Sequence, residues 1–116
     1  MITLYGIRNC DTVKKARAWL DQAGVAHRFH DFKTDGLPPA LLGAWVEELG
    51  WEALLNRAGT TFRKLPEAER ADLTEARAVK LMLAQPSLVK RPVLDLGARR
   101  MLGFKPELYA AALGPT

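Results

Sequence analysis

The sequence predicts a single α/β domain in which a β-α-β unit and a closing β-β-α unit flank an inserted block of helices. Three observations carry that expectation. The opening residues pass from a short strand-like run, Met1-Ile2-Thr3-Leu4-Tyr5, to helical spacing at Val13, Ala16, Leu20 and Ala23. A second strand-like run follows over Val25–Phe32 after a brief turn, which makes a parallel β-α-β unit the default. Near the other end, Pro92–Leu96 and Arg99–Leu102 flank Gly97-Ala98, a pattern that suits a two-residue hairpin turn. At 116 residues, 48% hydrophobic and 26% charged, the chain has material for one core and not for two independent ones.

Each element follows from local chemistry. The first helix is expected to start at Asp11 or Thr12, among the capping types Asn9, Asp11 and Thr12, and to stop at Gly24. Phe29 and Phe32 are the expected core residues of the second strand. His27 and His30, three apart on it, point to opposite faces, so a shared metal site is not expected. Asp35-Gly36 turns the chain and Pro38-Pro39 opens a helix whose Leu42, Trp45, Val46 and Leu49 share a face. Gly50 ends it. Trp51, Leu54 and Leu55 suggest one more turn, and helical pieces are expected over Leu65–Leu73 and Thr74–Gln85, closed by Pro86. The insertion, residues 37–86, thus has no strand of its own, and the core consists of residues 1–36 and 87–116. Pro106 opens the last helix, with Leu108, Ala111 and Ala112 turned inward and Gly114-Pro115 as its stop.

Cys10, the only cysteine, falls where the first strand hands over to the first helix. Unpaired N–H groups and the helix dipole favour an anion there. Such surroundings lower a thiol pKa from about 8.5 to roughly 3.5–7.5, so a thiolate at neutral pH is expected in place of an inert buried cysteine. Lys14, one turn on, is positioned to add positive charge, and reads equally as a solvated helix lysine. Gly59-Thr60-Thr61-Phe62-Arg63-Lys64 combines glycine, hydroxyls and an arginine in a loop. On residues alone an ordinary capped loop is the simpler reading of it, beside an oxyanion contact.

Composition excludes several classes. No apolar run approaches the roughly 18 residues of a membrane span and no signal-peptide pattern opens the chain. A lone cysteine forms no internal disulfide, which points to a reducing cytoplasmic setting and to a second thiol from outside. The formal charge of +4 is spread without basic runs, so nucleic acid is not an expected partner.

The order of elements, with a cysteine after the first strand and Arg91-Pro92 before the third, resembles the thioredoxin-like fold with an inserted helical subdomain. More narrowly, nearly the whole chain resembles the ArsC/Spx family, closest to its small YffB-type, ArsC-related branch. The resemblance is carried by Leu4–Ala16, Leu49–Asn56, Gly59–Leu65, Lys90-Arg91-Pro92 and Leu102-Gly103-Phe104. It implies Cys10 as nucleophile and Arg63 and Arg91 as anion-holding arginines. It also implies Pro92 as a cis-proline whose backbone faces Cys10 and receives a thiol peptide such as glutathione. Arg8, Asn9 and Lys14 complete the expected binding set.

Two positions depart from the arsenate reductases of this family. Val13-Lys14 stands where they carry a Ser-Arg pair, and Leu102-Gly103-Phe104-Lys105 offers no clean third arginine, with Arg99 or Lys105 as the substitutes at hand. The expected function is therefore a glutathione-dependent thiol or oxyanion reductase. It holds no metal or tightly bound cofactor, takes glutathione as co-substrate, and is resolved by glutathione or glutaredoxin. The alternatives are an Spx-like regulator that contacts RNA polymerase without turnover, and a specific arsenate reductase.

Overall fold

A computed structural model of the chain describes residues 2–113. It opens with β1 (Ile2–Gly6), α1 (Asp11–Gln22), β2 (His27–Asp31) and a one-turn α2 (Phe32–Asp35). Next come α3 (Pro39–Leu49), α4 (Trp51–Leu54), α5 (Thr60–Arg63), α6 (Glu67–Arg70) and α7 (Glu75–Ala84). A 3-10 turn at Pro86–Leu88 leads to β3 (Val93–Asp95), β4 (Arg100–Leu102) and α8 (Pro106–Leu113). The strands form one sheet in the order β2-β1-β3-β4. β1 runs parallel to β2, with Leu4 opposite Phe29, and antiparallel to β3, which pairs antiparallel with β4. The β-α-β … β-β-α order with inserted helices is the one the sequence predicts. None of the described helices is long and apolar enough to cross a membrane.

The chain forms two compact units, one made of the residues up to Asp35 with those from Arg91 onward, the other Gly36–Lys90. In the first, Leu4 and Leu94 from the sheet, Ala16 and Leu20 from α1 and Tyr109 from α8 make a buried cluster. Trp19 and Phe104 present edge-to-face contacts to the Tyr109 ring, at centroid distances of 5.7 and 4.8 Å. Tyr109 corrects an expectation: Leu108 is half exposed and Ala111 exposed, and Ala112 is only half-buried. The inward face of α8 is centred on the ring of Tyr109, which is 1% exposed. The expected stop at Gly114-Pro115 lies outside the described residues.

Other boundaries shift for local reasons. The second strand is shorter than expected, because Asp31 ends it. Its Oδ1 accepts the Lys33 N–H at 2.9 Å and its own N–H donates to Asp35 Oδ2 at 3.0 Å, which starts α2. Phe32 is then buried within α2, while Phe29 is half-buried against the core. The hairpin forms as expected, with Leu96 N–H donating to Arg99 O at 2.9 Å and Gly97 at φ 91°, a conformation that favours glycine.

In the second unit α3, α4 and α7 pack on one another, burying Leu42, Trp45, Leu54 and Met82 completely. The second unit carries an isolated strand-like bridge, Leu55 with Val89, flanked by Asn56 N–H to Leu88 O at 2.8 Å and Lys90 N–H to Leu54 O at 2.7 Å. The helical piece expected over Leu65–Leu73 shrinks to α6, because Ala71 leaves the helix in extended backbone, φ −86° and ψ 154°, ahead of Asp72 at a left-handed φ of 51°. Arg77 spans that break, its guanidinium donating to Ala68 O and Asp72 O. Thr74 caps α7, its hydroxyl accepting the Arg77 N–H.

Candidate active site

Cys10 stands at the N-cap of α1 with extended backbone, φ −82° and ψ 126°. The capping types around it in sequence do not hold that position; the cysteine does. Two contacts set it there. Cys10 N–H donates to Ile7 O at 3.1 Å, closing the turn after β1, and Cys10 O accepts the Lys14 N–H at 2.9 Å, opening the helix. Gly6 makes the turn possible by close approach. A Cβ at that position would lie 2.7 Å from Val13 Cγ2, so only glycine lets the first turn of α1 pack against the end of β1.

The N-cap side chain is the one that faces the free N–H groups of a helix's first turn. Partial burial pushes the Cys10 thiol up. The backbone N–H of Val13, the Arg91 guanidinium by hydrogen bond and by charge, and the Thr12 N–H together outweigh burial, and the thiol is held below its ordinary value. Arg91 is half-buried and precedes Pro92 across a cis peptide bond. Gly103 N–H donates to Pro92 O at 2.8 Å, and Tyr109 Oη donates to Gly103 O at 3.1 Å. The buried tyrosine of α8 is thereby linked by two hydrogen bonds to the segment that presents Arg91.

The remaining expected residues distribute differently. Arg8 turns toward the end of β2, its Nη1 3.7 Å from Asp31 Oδ2, with the arginine side chain 59% exposed and the carboxylate 4%. That loose pair is worth no more than about 1 kcal/mol. Asn9 and Lys14 are exposed on the turn and on the first turn of α1. Arg63 is exposed at the end of α5, in the other compact unit. Its segment is a helical turn where a loop was expected, since Arg63 N–H bonds to Gly59 O and Lys64 N–H to Thr60 O. His27 and His30 do separate: His27 Nδ1 lies 2.8 Å from Val25 O, and His30 meets the Tyr5 ring at 4.9 Å. Sequence reasoning passed over Asp31, which is buried although charged. The available signal was an acid at the carboxyl end of a parallel strand, where open α/β sheets gather their ligands.

The model of the ArsC family matches residues 5–112. This chain belongs to the ArsC family. Among solved structures, a protein named YffB is 60% identical over 98% of this chain and 100% of its own, with a TM-score of 0.94. An arsenate reductase (ArsC) related protein from Brucella melitensis is 54% identical over 98% of this chain and 95% of its own, at a TM-score of 0.79. The global transcriptional regulator Spx of Streptococcus agalactiae is 30% identical over 97% of this chain and 83% of its own length. The family membership and the thioredoxin-like α/β fold expected from sequence both hold for this ArsC-family protein.

The geometry around Cys10 yields a first prediction. Arg91→Ala removes a cation and a hydrogen bond that favour the thiolate, so the alkylation rate of Cys10 against pH moves to higher pH and falls severalfold at neutral pH. Intact-mass detection suffices because the chain has one cysteine. An unchanged profile would take Arg91 out of the site.

Proposed function

We propose that this protein is a cytosolic thiol reductase in which Cys10 is the nucleophile and glutathione the reductant. The observation that carries the reading is a thiol held toward its thiolate by the first turn of α1 and by Arg91. The thiolate attacks the glutathione sulfur of a mixed disulfide, R–S–S–G. A Cys10–glutathione disulfide forms as the S–S bond of R–S–S–G breaks, and R–S⁻ leaves as a thiolate that takes up a proton. A second glutathione thiolate attacks the glutathione sulfur of the adduct, releasing glutathione disulfide and restoring the Cys10 thiolate. One external glutathione thiol is consumed per turnover and leaves joined to the glutathione of the substrate as glutathione disulfide, so neither an internal disulfide nor a cofactor is needed. Arg91 also offers a charge-assisted donor to an anionic substrate group. Glutaredoxin could replace glutathione in the second step by the same exchange.

The test is a glutathione mixed disulfide of a small thiol, presented with excess glutathione. A Cys10 adduct by intact mass, together with catalytic release of glutathione disulfide, is the expected result. Absence of both overturns the reading. Arsenate as acceptor, with glutathione and glutaredoxin present, separates a specific arsenate reductase. The likeness to Spx favours a second reading, a regulator that binds RNA polymerase without turnover. Retention of polymerase subunits by this protein, with no thiol turnover, would establish it in place of the first.

A further inference from the structure

Two guanidinium groups converge on one aromatic ring beside the turn that carries Cys10. Arg17, from the second turn of α1, lies 4.3 Å from the centroid of Phe29, and Arg8, from the turn after β1, lies 5.7 Å from the same centroid. Phe29 is half-buried on β2 against the core that holds Leu4 and Leu20, so the ring is a fixed shelf. Side chains of a helix lean toward its N-terminus, which carries the head of Arg17 back toward the Cys10 end of α1. Like charges repel, and gathering two of them on one ring favours a bound anion.

Of the two arginines, only Arg8 has a carboxylate at ion-pair distance. Asp31 meets Arg8 only loosely, at 3.7 Å, and its other oxygen already accepts the Lys33 N–H. Asp21, one turn beyond Arg17 on α1, lies beside His27 at 3.9 Å. Among the described residues Arg17 has no carboxylate within ion-pair distance.

We infer that Arg8 and Arg17, held over Phe29, form a subsite for a free carboxylate of the thiol peptide that reacts at Cys10. This inference rests on the reading of Cys10 as a glutathione-using nucleophile. It adds Arg17 and Phe29 to the binding surface and defines the selected feature as a carboxylate some distance from the reacting sulfur. A planar guanidinium stacked on a ring keeps its edge free for a bidentate pair with such a group. Small neutral thiols, which lack the carboxylate, gain nothing from it.

The probe is S-methylglutathione, which carries both carboxylates and cannot react, titrated into the full chain and followed by calorimetry. Arg17→Gln keeps the stem that packs on Phe29 and removes the charge. We expect it to weaken S-methylglutathione binding about tenfold, while the diethyl ester of the same probe binds wild type and variant alike. Arg17→Lys should fall between them, because lysine keeps the charge without the fork. Equal affinity of wild type and Arg17→Gln for S-methylglutathione overturns the subsite, as does failure of the wild type to bind it. The two readings fail separately. Loss of probe binding in Arg17→Gln without glutathione turnover in the wild type leaves the subsite and removes the reductase. Turnover with unaltered probe affinity in Arg17→Gln does the reverse.

Discussion

Cys10→Ser is expected to abolish every covalent adduct while leaving the fold as stable as before, or about 0.5–1 kcal/mol more stable. The two effects have one cause. Residue 10 is the N-cap of α1, and serine is among the side chains that best accept the first-turn N–H groups there. A hydroxyl with those donors caps the helix and does not ionise, whereas the thiol is held by them below its ordinary value. Intact mass after exposure to a glutathione mixed disulfide reads the first effect and urea unfolding the second. A pH series adds a sign. The folded-state pKa of Cys10 is depressed, so its contribution to stability is present above the unfolded thiol value and is lost as pH falls through the folded value. The serine variant lacks that slope. Adduct formation by Cys10→Ser would remove Cys10 as the nucleophile, and a large loss of stability would contradict its position at the cap.

Tyr109→Ala carries the largest expected cost to folding, about 3–5 kcal/mol by urea unfolding. The ring is 1% exposed and touches Trp19 and Phe104 edge to face, so its removal opens a cavity at the centre of the sheet unit. Leu108→Ala, one residue earlier, is expected to stay within about 0.5 kcal/mol, because Leu108 is 50% exposed. The pair is a direct check on which face of α8 is inward. Tyr109→Phe isolates the hydroxyl. It should cost about 1 kcal/mol through the bond to Gly103 O. Comparable costs for the alanine variants at 108 and 109 would refute the packing described for α8.

The parts of this chain that were legible in sequence are those set by neighbours along the chain. The change from a strand-like run ending at Tyr5 to helical spacing from Val13 locates α1 and puts Cys10 at its start, and Val13, Ala16 and Leu20 are buried as that period requires. Gly97-Ala98 likewise forms the turn of its hairpin, because a two-residue loop needs little beyond its own backbone preferences. Short, mixed segments were not legible in the same way. Phe32 reads as the end of a strand until the Asp31 carboxylate is seen to cap the next turn, and the 60–63 segment reads as loop until its i→i+4 bonds are seen.

For the candidate site, the sequence by itself determined where the one cysteine sits and the local setting of its thiol. An N-cap position beside free N–H groups is a local property, and the composition supplies one cysteine to occupy it. What only the tertiary structure decided is which cations act on what. Arg91, far along the chain, is brought to Cys10 because β3 pairs with β1, and Tyr109 reaches that segment through Gly103. Arg8, two residues from the sulfur, turns instead to Asp31 and Phe29, where Arg17 joins it. Proximity along a chain fixes backbone geometry, but the placement of a long charged side chain depends on surfaces that exist only once the sheet has formed.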